Sequence, residues 1–275
     1  MNVSSKPLVS IVIVNYNGGP VILECLNSLQ KYTRRIPYEI IVVDNNSQDG
    51  SPEEINGNFP SVNLLRQSKN AGFGTANNIG VAKSSGKFIW LLNSDVYLTS
   101  NVLPFFVARL EEDPQIGILG PRLVNADGSF QLSVSKEISI RGEFQTLQQV
   151  RKYRNLATRP QLAQSYVSEK TVDIVVGAAM FMRREVFDKS GGFDQNFFMY
   201  FEESDLCKRV RNLGYSILYT PKVELIHIGG YSVSKASGRM AQEYRRSQRY
   251  YYEKHRPIWE QWLLHAYLTI KQWRS

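Results

Sequence analysis

The chain reads as an α/β protein with a mostly parallel, doubly wound sheet flanked by helices. Three observations carry that expectation. Short runs that are apolar almost throughout recur at residues 9–14, 40–43, 62–65 and 88–92, the mark of strands buried on both faces. Helical stretches alternate with them, as βαβ units require. Three of the runs end abruptly in polar residues: Asn15 with Asn17, Asp44 with Asn45, and Asn93 with Asp95. Parallel strands place such ends on one edge, where open α/β sheets bind ligands.

Taken in order, residues 9–14 form the first strand, broken by Asn15-Tyr16-Asn17-Gly18-Gly19. Ile22, Leu23, Leu26 and Leu29 then recur at helical spacing. The strand at 40–43 ends at Asp44, and Asp49 caps a short helix with Pro52 and Glu53 in its first turn. A strand at 62–65 leads to the Gly-rich helix start Asn70-Ala71-Gly72-Phe73-Gly74. After the strand at 88–92 come a helix at 101–112 and a strand at 116–119. Residues 136–170 are polar and basic with little periodicity, and read as a mobile lid or acceptor loop, or equally as plain solvated surface. Strand character returns at 172–182. An amphipathic helix at 202–213 and short strands at 217–219 and 223–226 follow, the last ending at His227.

With 275 residues, 43% of them hydrophobic, the chain buries a full core. No apolar run approaches the roughly 18–20 residues of a membrane span, and nothing apolar before Pro7 suggests a signal peptide. Cys25 and Cys207 are far apart, outside any CxxC pair, and are expected as reduced core residues. The net charge of +8 suits an anionic partner: a nucleotide, a phospholipid surface or nucleic acid.

Two groups of residues carry chemistry. Asn93 and Asp95, one residue apart at a strand end, offer oxygen ligands suited to Mg²⁺ or Mn²⁺ and thereby to a diphosphate; a polar turn has the same composition. Further on, Asp194 follows Gly191-Gly192-Phe193, and Glu202, Glu203 and Asp205 follow an aromatic stretch. Burial and like charge raise carboxyl pKa values and make a general base workable near neutral pH, while acids at a helix start also suit the helix dipole. From residue 237, six basic residues interleave with tyrosines, then Trp259, Trp262, Leu263, Leu264, Tyr267, Leu268, Ile270 and Trp273 follow. This helical extension suits a membrane interface, or packs on the domain. No nucleic-acid motif accompanies the charge.

The ordered set Asn15-Tyr16-Asn17, Asp44-Asn45, Asn70-Ala71-Gly72-Phe73-Gly74 with Asn77 and Asn78, Asn93-Ser94-Asp95, Gly191–Asp194, Glu202-Glu203-Ser204-Asp205 and His227 resembles glycosyltransferase family 2, of the GT-A fold, and within it the rhamnosyltransferase-like branch. The resemblance spans roughly residues 8–256. It implies a GT-A domain at 1–236, with a nucleotide-sugar half to about 125 and an acceptor half at 126–236, followed by the extension at 237–275. The implied activity is inverting transfer of one sugar from a nucleotide-sugar donor, L-rhamnose from dTDP-rhamnose or a sugar from a UDP-sugar, to a glycan or lipid-linked saccharide at the inner face of the cytoplasmic membrane.

On the same resemblance, Asn15, Tyr16, Asp44 and Asn45 serve the base and ribose. Asn70, Gly72 and Asn78 line the donor. Asn93 and Asp95 stand where Asp-x-Asp is usual, with Asp95 and His227 holding Mg²⁺ or Mn²⁺. Glu203 is the base, with Glu202 or Asp205 as runner-up, and Asp194 shapes the sugar pocket. The Gln-x-x-Arg-Trp motif of processive synthases is absent, so a single addition is expected. A nucleotidyltransferase would need a basic loop after the first strand, which Asn15–Gly19 lacks. A non-catalytic sugar-nucleotide module would not need Asp95, Glu203 and His227 together.

Overall fold

The computed structural model describes residues 6–229 and 237–273. The four apolar runs form β1 (Val9–Asn15), β2 (Tyr38–Asp44), β3 (Asn63–Arg66) and β4 (Phe88–Asn93), joined by α1 (Gly19–Tyr32), α2 (Ser51–Asn58) and α3 (Phe73–Ala82). They pair in parallel in the order β3-β2-β1-β4. Asn15 stands opposite Asp44, and Val14 opposite Asn93, so the register aligns the polar ends along one edge. Alternation sorts the apolar side chains: Ile11, Ile13, Trp90 and Leu92 pack with Ile22, Leu26 and Leu29 of α1, whereas Ile89 and Leu91 face the other layer.

β5 (Val96–Tyr97), α4 (Leu103–Glu112) and β6 (Ile116–Val124) follow, then β7 (Phe130–Gln131), β8 (Val134–Ser135), α5 (Ile140–Arg154) and α6 (Arg159–Gln164). β9 (Lys170–Thr171), β10 (Ile174–Val175), β11 (Ala179–Arg183), α7 (Arg184–Lys189), α8 (Glu202–Asn212) and β12 (Ser216–His227) complete the domain. The main sheet runs β3-β2-β1-β4-β11-β6-β12-β5. β11 is antiparallel to both its neighbours, and β6 and β12 are parallel to each other. The sheet is therefore mixed in its second half.

Two expectations change. Residues 136–170 are largely helical, as α5 and α6. Ser139 caps α5 by accepting a hydrogen bond from the Gly142 amide at 2.9 Å, and α5 buries only Gly142, leaving Ile140, Phe144 and Leu147 exposed. The two short strands at 217–219 and 223–226 are one strand, β12, with a bulge in its pairing to β6 between Thr220 and Glu224; Pro221 within it gives up an amide there.

The extension forms α9 (Ser237–His255) and α10 (Ile258–Trp273). Its apolar residues divide. Tyr251, Tyr252, Leu264 and Leu268 are buried with Phe197 and Phe201 of the segment preceding α8. Ile258, Trp259, Trp262, Leu263, Tyr267 and Ile270 remain exposed. Among the described residues no helix is long and apolar enough to cross a membrane.

Candidate active site

At the carboxyl edge of β1, β2 and β4 the polar ends build one connected network. Asn15 is buried, and its Nδ2 donates to Asp44 Oδ1 at 2.9 Å and to Ser51 Oγ at 2.9 Å. Asp44 accepts the Ser47 amide at 3.1 Å, closing the loop after β2. Asn45 reaches across to the next loop. Its Oδ1 accepts the Ala71 amide at 3.1 Å, and its Nδ2 donates to Asn70 Oδ1 at 3.0 Å and Gly72 O at 3.1 Å. Tyr16 lies exposed at the rim. Asn15 and Asn45 thus hold the loops, and Asp44, itself buried, has both carboxylate oxygens in the same network.

Gly72 is required by geometry. Its φ is +88°, and a Cβ there would lie 2.3 Å from the Phe198 carbonyl oxygen, which accepts the Phe73 amide at 3.0 Å. The Asn70–Gly74 loop and the segment before α8 are pressed together at this point. Asn78, expected to line the donor, spends both ends of its amide on the Phe193 backbone, at 2.8 and 2.9 Å. It ties α3 to that segment.

β4 delivers Asn93 and the turn to Asp95, and β12 delivers His227. Pairing of β5 with β12 sets His227 opposite Val96, so Asp95 Oδ1 lies 3.3 Å from His227 Nε2. Asp95 Oδ2 accepts the Gly229 amide at 3.1 Å. His227 Nδ1 sits 2.8 Å from Gln131 Oε1. The Gln131 amide is oriented by its nitrogen, which donates to Asn125 Oδ1 and His227 O. Gln131 Oε1 thus calls for a proton on Nδ1, which leaves Nε2 directed at the Asp95 carboxylate. Asn93 Oδ1 is buried nearby in sequence with no partner.

These groups fit Mg²⁺ or Mn²⁺. Among the described residues no three of His, Cys, Asp and Glu cluster tightly enough to hold an ion alone. That matches an ion completed by substrate phosphates and water. Asp95 and His227 would hold it, and Gln131 is the orienting partner that metal-binding histidines commonly have.

The second carboxylate group sits at the start of α8. Tyr200 and Phe201 both adopt φ +69°, a conformation costly for non-glycine residues and typical of functional sites. It turns the chain so that Glu202 and Glu203 enter an apolar pocket. Glu202 is 4% exposed, and its Oε2 has no partner. Burial, then the neighbouring Glu203, push the Glu202 carboxyl well above its usual range. Burial also raises Glu203, against backbone and Ser204 hydrogen bonds. The two titrate as a pair, and burial raises both. Glu203 packs beside Gly177, and the adjacent Ala178 carbonyl accepts the Asn93 amide at 2.9 Å. Residues 177–178 therefore link the carboxylate pair to the Asn93–Asp95 edge.

Asp205 and Asp194 point elsewhere. Asp205 is 0% exposed and pairs with Arg209 at 2.7 Å, Lys254 at 2.8 Å and His255 at 2.6 Å. Burial pushes its carboxyl up, but His255, Arg209 and Lys254 overcome that and hold it below the usual range. Asp194 binds Lys254 at 2.6 Å and the Tyr250 hydroxyl at 2.8 Å. Partial burial raises it, and Lys254, the Asn196 amide and Tyr250 outweigh this, holding it at about 2. Both acids latch α9 to the start of α8. Glu137 adds a second latch, joining Lys208 and Arg211 of α8 to Arg256 beyond α9.

Gln131, Gly177 and Tyr244 are site residues that sequence reasoning missed. Gln131 lies in a two-residue strand with no motif around it. Gly177-Ala178-Ala179 after two valines was the available signal, since small residues permit close approach. Tyr244 stands edge-on to Tyr200 and Phe201, with ring centres 5.4 and 5.0 Å away.

Comparison with known proteins places this geometry. Residues 10–191 match the family model for glycosyl transferase family 2. A Mycobacterium tuberculosis N-acetylglucosaminyl-diphospho-decaprenol L-rhamnosyltransferase is 28% identical over 95% of this chain and 90% of its own length. The low-salt glycan biosynthesis hexosyltransferase Agl10 of Haloferax volcanii is 24% identical over 79% of this chain and 66% of its own. In fold, GalNAc-T7 bound to UDP, GalNAc and Mn²⁺ superposes with a TM-score of 0.62 at 18% identity, over 81% of this chain but 44% of that one. The Pyrobaculum calidifontis mannosyltransferase PcManGT, bound to GDP-Man and Mn²⁺, gives 0.60 at 19% identity, over 95% and 69%. With an α/β GT-A fold, a carboxyl-edge network and a family match over most of its sheet, this chain belongs to glycosyl transferase family 2.

Proposed function

We propose that this glycosyltransferase moves one L-rhamnose from dTDP-rhamnose, with inversion, onto a saccharide carried by a lipid diphosphate. The observation that carries the reading is the link through Gly177 and Ala178. Gly177 packs beside Glu203 and Ala178 accepts the Asn93 amide, which supports a common site for the Asp95–His227 pair and the desolvated Glu202–Glu203 pair. Tyr16 and Asp44 receive the base and ribose, held by the Asn15 and Asn45 network. Asp95 and His227 would hold a divalent ion, which would supply charge stabilisation to the departing nucleoside diphosphate. Glu203 accepts the proton of the acceptor hydroxyl as its oxygen bonds to the anomeric carbon, while the bond from that carbon to the diphosphate oxygen breaks on the opposite face. The choice of rhamnose and of a lipid diphosphate rests on the mycobacterial relative's name, and exposed Trp259 and Trp262 on α10 support contact with a membrane.

The test is a donor screen: dTDP-rhamnose, UDP-sugars and GDP-mannose with Mn²⁺, Mg²⁺ or a chelator, in the presence of a polyprenyl-diphosphate-linked N-acetylglucosamine. Metal-dependent transfer from dTDP-rhamnose is the expected result. Transfer from a UDP-sugar alone would keep the mechanism and reject the donor, and transfer unaffected by chelation would reject the role given to Asp95 and His227.

A further inference from the structure

We infer that the arginine-lined groove on α9 is the subsite for the acceptor's diphosphate; this rests on the lipid-diphosphate acceptor proposed above. The groove encloses about 680 Å³ and is lined by Arg245, Arg246 and Arg249, with Asn196, Tyr250 and Glu253 among the remaining residues. Positions 245, 246, 249, 250 and 253 fall within one face of the helix at a spacing of three to four residues. Three guanidinium groups against the single Glu253 carboxylate leave the lining with a formal charge of +2.

That charge is poorly neutralised. Arg245 donates to the neutral Gln248 Oε1 at 2.6 Å. Among the described residues Arg246 pairs with Glu243 alone, at 3.7 Å. Arg249 is exposed and has no acidic partner among the described residues. Like charges one helical turn apart, as Arg245 and Arg249 are, destabilise a helix. A ligand with two phosphates removes that repulsion, and the guanidinium fork matches phosphate oxygens bidentately.

The position of the groove specifies which diphosphate. One residue before Arg245, Tyr244 abuts Tyr200 and Phe201, which lead directly into Glu202 and Glu203. Tyr244 is also within electrostatic reach of Glu203. At the rim, Asn196 and Tyr250 hydrogen-bond to each other and to Asp194, so the lining is continuous with the segment before α8. Along α9 the order is aromatic contact beside the base, then arginines, then the turn into α10 with its exposed tryptophans. A lipid-linked acceptor has the same order: reacting hydroxyl, diphosphate, hydrocarbon.

The experiment uses the full chain and its Arg246→Ala/Arg249→Ala variant. Both side chains are exposed, so folding is expected to survive, and an Arg246→Lys/Arg249→Lys variant separates charge from shape. Two acceptors carry the same saccharide, one on a prenyl diphosphate and one on an octyl glycoside. The alanine variant is expected to lower the ratio of kcat/KM for the diphosphate acceptor over the octyl acceptor about tenfold or more, with the lysine variant losing less. An unchanged ratio overturns the assignment, and so does a tenfold rise in donor KM at constant ratio, which would give the arginines to the nucleotide. Binding of farnesyl diphosphate, with farnesol as control, is read without any transfer. A tenfold weakening in the alanine variant supports the subsite even if no sugar donor works, which separates this inference from the proposed function. Loss of binding to phosphatidylglycerol vesicles with farnesyl diphosphate binding intact would overturn it in favour of a lipid headgroup contact.

Discussion

Glu203 and Glu202 differ in sequence by one position and in environment by a great deal. The half-buried Glu203 faces Gly177, while Glu202 is enclosed with an unpartnered oxygen. Glu203→Gln is expected to reduce kcat by about 10²–10⁴-fold, the usual worth of a positioned base, with donor binding retained; a variant that instead lost donor affinity with kcat intact would refute the assignment. The pH profile follows from the direction of the shift. A raised carboxyl is ionised, and so basic, only above its raised pKa. The rate therefore falls as pH drops through a value above the ordinary carboxylate range. A profile flat down to pH 4.5 would show that no such group is needed. Gln131 is testable through its contact with His227. Gln131→Ala frees His227 to rotate and is expected to weaken Mn²⁺ affinity or activity about 10–100-fold, as read by Mn²⁺ titration; unaltered Mn²⁺ dependence would count against the metal site.

At the scale of elements, the close approach of the Asn70–Gly74 loop to Phe198 has a direct consequence. Gly72→Ala places a Cβ against a backbone oxygen at a positive φ, costing about 1–3 kcal/mol and displacing both walls of the donor site. A lowered melting temperature with a raised donor KM is the expected pair of results, and a neutral variant would contradict the packing. The latch between α8 and α9 is the second consequence. Asp205→Asn leaves Arg209, Lys254 and His255 beside a buried neutral amide, and breaking such a cluster costs about 3–5 kcal/mol. Because the Asp205 carboxyl is depressed in the fold, its stabilising contribution is complete above the unfolded value and disappears as pH falls through the depressed one. Acid denaturation of the wild-type chain should thus approach that of the variant at the lowest pH; a constant gap in denaturation midpoint would argue that Asp205 matters by shape rather than charge.

For the molecule as a whole, the extension is both a structural and an interfacial element. α9 is bound into the domain by Tyr251, Tyr252 and the acidic latches, whereas α10 leaves Trp262 at 70% and Trp259 at 55% exposure. Replacing both tryptophans with Glu is expected to reduce binding to anionic vesicles about tenfold or more, while circular dichroism stays unchanged. Vesicle binding equal to wild type would remove α10 from any membrane role. The buried tyrosines of α9 make the prediction specific to α10: deletion of the whole extension from residue 237 would also strip the packing from Phe197 and Phe201.

The parallel half of the fold was written into the sequence. Residues 9–14, 40–43 and 88–92 are apolar on both alternating faces, as a doubly covered strand requires, and the register then carries their polar ends to one edge, whereas the run at 62–65 forms the half-exposed edge strand β3. The types of residue at the site were legible for the same reason: Asn, Asp and Glu at the ends of apolar segments have few purposes besides turns and ligands. What the tertiary structure alone decided was which of them remain available. Asn78, Asp194 and Asp205 look like site residues in sequence, yet their polar atoms are consumed by Phe193, Tyr250, Lys254, His255 and Arg209. The inserted antiparallel β11, the helical α5 and the division of the extension's apolar residues between the cluster around Phe197 and the exposed face of α10 were also beyond a one-dimensional reading. Each depends on pairing between residues far apart along the chain, and local periodicity records only that a surface is apolar, never which partner covers it.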